Sequence, residues 1–155
     1  MSNSETVIVQ REFVLDTPQK RVWDLLGKVI YQCLPLEKVD VVNERLFYAE
    51  LRWKIFLISL KLHLKVEFVD ILPPDIIACM ISVKKGFIHL EPKVLFTLKP
   101  VNQQKTSLTC TATGGRTGIL QWVMKKQQQR FAGNLFSLIG RRFGELLLIT
   151  TPLES

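Results

Sequence analysis

Between Pro35 and about Thr113 the apolar residues recur at close to every second position, the period of strands with one face buried. The stretch 59–68 is the clearest. Leu60, Leu62, Leu64, Val66 and Phe68 fall on one face, and Ser59, Lys61, His63, Lys65 and Glu67 on the other. The pattern predicts strands near 36–42, 45–54, 56–72, 76–85, 88–100 and 104–113, after a first strand over 5–15. Asn43-Glu44, Pro73-Pro74-Asp75, Lys85-Gly86 and Asn102-Gln103-Gln104 supply the turns. Successive strands with short connections make an antiparallel sheet with one wet and one buried face.

The period changes in two places. After the first strand comes DTPQKRVWDLLG, in which Asp16 or Thr17 can cap a helix, Pro18 suits its first turn and Gly27 its C-terminal end. Residues 29–34 then read as a second short helix that Pro35 helps to stop. Beyond Gly114-Gly115, residues from Thr117 to about Ile149 read as one long helix. Its start is polar (Lys-Lys-Gln-Gln-Gln-Arg at 125–130), and its later turns place Phe131, Leu135, Ile139, Phe143 and Leu146 on one stripe.

The order is therefore one strand, two short helices, six strands and a long C-terminal helix, in an α+β class. A strongly curved seven-stranded antiparallel sheet wrapped around the long helix satisfies it. The apolar face of such a sheet is too broad for one helix to cover, and the two short helices between strands 1 and 2 are suited to plug the gap. With 155 residues and neither a repeat nor a linker, the chain is expected to form one domain over 1–155.

Composition narrows the function classes. Residues that are 47% hydrophobic argue for a globular chain. The N-terminus lacks a basic region followed by an apolar run, and no stretch approaches the ~18 apolar residues of a membrane span, so a cytoplasmic protein is expected. Cys33, Cys79 and Cys110 form no CxxC, and neither His63 nor His89 stands at metal-site spacing from them; free, mostly buried thiols are the reading, with no metal or other cofactor. The net charge of +7 favours anionic partners, but its densest groups (Lys84-Lys85, Lys125-Lys126, Arg141-Arg142) are scattered and read as a solvated surface. Nucleophile elbow, P-loop and HExxH motifs are all missing, so an enzyme has little support. Nucleic-acid binding would use Lys61, Lys65, Lys84, Lys85 and Lys93, yet no aromatic platform beyond Trp53 and Trp122 accompanies them.

The element order, together with Val22-Trp23-Asp24-Leu25-Leu26, Cys33-Leu34-Pro35, Tyr48-Ala49-Glu50, Thr106-Ser107-Leu108-Thr109-Cys110 and Gly114-Gly115, resembles the helix-grip fold of the SRPBCC superfamily, which includes START domains, pollen-allergen-like proteins and polyketide cyclases. Within it, the chain is most similar to the G-subunit family of carbon monoxide dehydrogenase over about residues 6–147. It departs from that family where Leu36 replaces a Gly after the Cys-Leu-Pro turn, and in its polar, Gln-rich start to the last helix.

This resemblance implies a deep apolar pocket between sheet and long helix, holding a hydrophobic small molecule such as a lipid, quinone or polyketide-like compound. The expected wall is Tyr48, Leu62, Leu64, Phe68, Leu90, Phe96, Leu108, Phe131, Leu135, Phe136 and Ile139, with Arg142 at the mouth. The same residues could instead pack on one another, since interiors leave few voids. Tyr48 would orient the polar end of a ligand, and Arg142 would meet a ligand carboxylate or phosphate or else reach along its own stem to water. Gly133, Gly140 and Gly144 lie on one side of the long helix, which suggests close packing there. Two rival functions share the fold: a cyclase-like enzyme in the same pocket, and an accessory factor docking on an acidic protein or peripheral membrane surface.

Overall fold

The computed structural model describes residues 6–33, 36–55, 58–85, 88–114 and 121–150. The strands are β1 (Thr6–Leu15), β2 (Leu36–Asn43), β3 (Leu46–Ile55), β4 (Ile58–Leu72), β5 (Ile76–Lys85), β6 (Ile88–Leu90), β7 (Lys93–Asn102) and β8 (Lys105–Gly114). Helix α1 (Gln19–Cys33) lies between β1 and β2, and α2 (Gln121–Thr150) follows β8. The sheet runs β1-β8-β7-β5-β4-β3-β2, antiparallel at every step, and short β6 pairs with β5 beside this path. This is the helix-grip architecture, a curved antiparallel sheet of seven strands in sequence around a C-terminal helix. Interruptions of register at Val7/Val9, Glu37/Asp40, Val41/Asn43, Phe68/Asp70 and Pro100/Asn102 bend the strands that carry them.

Alternation decides which side chains enter the core. On β3, Phe47, Ala49 and Leu51 are buried; on β4, Leu62, Leu64 and Val66; on β7, Val94, Phe96 and Leu98; on β8, Leu108, Cys110 and Ala112. From α2 come Ala132, Leu135, Phe136, Ile139, Phe143 and Leu147, and all join one apolar cluster. Helix α2 packs chiefly on β1, then on α1 and β8, and α1 also packs on β7 and β8. Among the described residues no helix is long and apolar enough to cross a membrane.

Two expectations are corrected here. The two short helices are one: α1 passes through Gly27 without a break. Its buried residues Val22, Leu26, Val29 and Ile30 are spaced as one helical face and straddle the glycine, which is exposed. A helical Gly costs ~1 kcal/mol against Ala, whereas burying each apolar side chain contributes roughly 1.5–3 kcal/mol, so packing wins. The strand expected over 88–100 is divided at Glu91-Pro92 into β6 and β7. The proline cannot donate to a ladder, although its carbonyl accepts a bond from the Ile81 amide at 3.0 Å.

The polar contacts of α1 fix it across the sheet. The Val22 amide donates to the Pro18 carbonyl at 3.2 Å, so the helix begins at the proline as the sequence suggests. Buried Thr106 on β8 donates its hydroxyl to the Thr17 carbonyl at 2.8 Å. Gln19 Nε2 reaches Asp75 Oδ1 at 2.9 Å and the Leu98 carbonyl at 3.2 Å. The N-terminal end of α1 is thereby tied to β8, β7 and the β4–β5 turn.

Candidate ligand-binding interior

Seven of the expected wall residues come together. Leu62 and Leu64 on β4, Phe96 on β7, Leu108 on β8, and Leu135, Phe136 and Ile139 on α2 are all buried in the same cluster. Phe96 and Phe136 meet edge to face, joining sheet to helix. Phe68 and Phe131 are half-buried and pack against the rim of this cluster. The side chain of Leu90 lies outside the described residues.

Tyr48 is elsewhere. It is 43% exposed, because Phe47 and Ala49 take the inward positions and strand alternation sends Tyr48 outward. There it lines a cleft of about 230 Å³ on the outer face with His63, Lys65, Ser82, Lys84 and Glu91. The pairings Tyr48–Lys65 and His63–Lys84 across β3, β4 and β5 bring these groups together.

Arg142 sits at the edge of α2, half-buried, where its Nε donates to Gln32 Oε1 of α1 at 3.0 Å and its Nη1 lies 3.3 Å from Glu145. These residues, with Cys33, Leu138 and Arg141, line a cleft of about 370 Å³ between the helices. Burial pushes the Cys33 thiol up; the Arg142 charge opposes this shift and Glu145 adds to it.

The remaining thiols are free and face the core. Burial pushes both Cys79 and Cys110 up to about 12, so they are protonated near neutral pH. Among the described residues no group of three or more His, Cys, Asp and Glu could hold a metal. Among the described residues the fully buried polar side chains are Thr17, Thr106 and Gln128, and none is charged.

Gln128 is the residue that pattern reading missed. It falls in the polar 125–130 stretch, yet it is only 2% exposed. Tracing the inward stripe back from Ala132 by one turn places it on the buried face, which is the signal that finds it. Among the described residues its Nε2 has no hydrogen-bond partner, and an orphaned buried donor costs about 1–3 kcal/mol. Glu50 Oε1 also lacks a hydrogen bond, but the ammonium groups of Lys61 and Lys38 stand 3.6 and 3.8 Å away.

The glycines of α2 divide by environment. A Cβ on Gly140 would fall within the ring of Phe13, whereas one on Gly144 would meet nothing within 4 Å. Close packing against β1 therefore explains Gly140, and Gly144 stands in open space.

No family model matches the sequence, and no curated protein does. Solved structures do resemble it. A conserved protein from Geobacillus kaustophilus superposes with a TM-score of 0.67 at 20% identity, covering 88% of this chain and 94% of its own. A START superfamily protein from Mycobacterium smegmatis gives 0.62 at 10% identity, covering 89% and 97%. The Zhui aromatase/cyclase from a Streptomyces species gives 0.56 at 14% identity, covering 89% and 93%. The chain shares their fold, the one common to START superfamily proteins and this aromatase/cyclase.

Proposed function

We propose that this protein binds and carries a hydrophobic small molecule between the concave face of the sheet and α2. The observation that carries the reading is the chemistry of that interior. Inward positions of six strands and both helices converge in one apolar cluster, and no charged side chain of the described residues is fully buried there. Such a lining suits an apolar or weakly polar guest, for which a concave, mostly apolar site is the general rule. The shared fold with a START superfamily protein and an aromatase/cyclase supports the same reading. The cleft between α1 and α2, with Leu138 beside Arg141 and Arg142, is a suitable mouth.

Carriage is favoured over cyclase chemistry by the titratable groups that the described residues place inside. Acid–base work needs a group whose pKa lies near the working pH. Cys79 and Cys110, pushed up to about 12, do not meet that need. An accessory role of the kind that the resemblance to the G-subunit family of carbon monoxide dehydrogenase would imply draws support from the outer cleft, where Lys65 and Lys84 stand beside His63.

Titration of the delipidated protein with fatty acids, quinones and polycyclic aromatics separates these readings. Saturable one-to-one uptake without conversion supports carriage. Turnover of a polyketide-like compound favours the enzyme. An empty protein that instead binds acidic vesicles in a salt-sensitive manner favours docking.

A further inference from the structure

Resting on this proposed interior, we infer that Gln128 is a hydrogen-bond donor to a neutral carbonyl group of the apolar ligand. The side chain is 2% exposed and its Nε2 lacks any partner among the described residues. It projects from the same face of α2 as Ala132, Leu135 and Phe136, one turn nearer the N-terminal end of the helix.

The amide has a fitted seat. A Cβ at Gly114, the last residue of β8, would lie 2.6 Å from Gln128 Oε1 and would overlap Ile8 Cδ1. The bare backbone at Gly114 makes room for the oxygen end of the amide, and the amino end is left with two N–H donors and no acceptor. Leu or Met would fill such a position without an orphaned donor, so the polar choice calls for an acceptor beyond those of the described residues.

The chemistry of the interior selects that acceptor. A carboxylate or phosphate would bring a full charge into a region where no charged side chain of the described residues is fully buried, and an unpaired buried charge is strongly disfavoured. A neutral oxygen avoids this. A ketone, quinone or ester carbonyl accepts well from an amide N–H, and an apolar body attached to it suits the surrounding Leu and Phe side chains. The ligand class is therefore a neutral apolar carbonyl compound rather than a free fatty acid.

A matched pair of probes tests this on the full chain: 2-acetylnaphthalene and 2-ethylnaphthalene, which differ by a carbonyl oxygen in place of two hydrogens. The wild type is expected to bind the ketone about ten-fold more tightly than the hydrocarbon, a difference typical of one buried hydrogen bond. In Q128L and Q128M the ratio should fall to near one while hydrocarbon affinity persists, with melting temperatures no lower than that of the wild type. A wild-type ratio near one overturns the inference without any variant. So does a ratio that survives in both variants, and in either case hydrophobic binding still stands. Uptake of neither probe overturns both the inference and the proposed function.

Discussion

Phe96 of β7 and Phe136 of α2 meet edge to face at the centre of the molecule, with ring centroids 6.1 Å apart and ring planes at 75°. Both rings are fully buried. The sheet and the long helix are thus joined by an aromatic contact in the middle of the expected wall. Phe136→Ala removes the ring and with it the contact to Phe96. Its cost is expected to be roughly 3–5 kcal/mol, the range for truncating a buried Phe. Urea denaturation checks this, and a cycle with Phe96→Ala should show coupling of about 0.5–1.5 kcal/mol.

Gly140 and Gly144 lie one turn apart on α2 and should respond in opposite directions to Ala. Gly144→Ala meets open space and should stabilise by about 0.5–1 kcal/mol through helix propensity. Gly140→Ala collides with the Phe13 ring. Overpacking of this kind costs ~1–3 kcal/mol, which outweighs the propensity gain. Thermal melts of the two variants should move to opposite sides of the wild type.

Stability should fall at alkaline pH through the two core thiols. In the folded chain Cys79 and Cys110 lie near 12, against an ordinary 9.0. Above pH 9 the unfolded chain loses these protons while the folded chain keeps them, so each thiol favours unfolding by up to about 1.4 kcal/mol per pH unit until pH approaches 12. Their contribution is fully present below pH 9. A Cys79→Ala/Cys110→Ala double variant should lose stability less steeply than the wild type between pH 9 and 11. Equal slopes would contradict the assignment.

The Thr106–Thr17 bond fastens the start of α1 to β8. Thr106→Val keeps the side-chain shape and deletes the donor, leaving the Thr17 carbonyl without it. The expected loss is about 1–2 kcal/mol, measured by denaturation. Hydrogen exchange should report the loss as faster opening of the first turn of α1.

Much of this architecture was legible in the sequence because burial follows period. The alternation from Leu62 to Val66 and the stripe from Leu135 to Phe143 each fix which face turns inward. Residue identity alone misled in three places. Gly27 reads as a stop, but Leu26 and Val29 belong to one face, and their packing carries the helix through. Tyr48 looks like a ligand contact as a large polar aromatic, yet its neighbours Phe47 and Ala49 hold the inward parity. Gln128 reads as solvated amid Lys and Gln, although its place in the helical period turns it inward. Pairing across the chain, such as Arg142 with Gln32 or Phe13 beneath Gly140, has no local signature, since it depends on how α2 crosses β1 and α1.

Gentle native mass spectrometry of the freshly purified protein, followed by organic extraction and identification of what is released, tests the central claim most directly. The account predicts a stoichiometric adduct that leaves as a neutral, apolar, carbonyl-bearing compound. A clean mass for the chain alone, with no uptake from fatty acids, quinones or aromatics, would contradict it and show the interior to be a filled core.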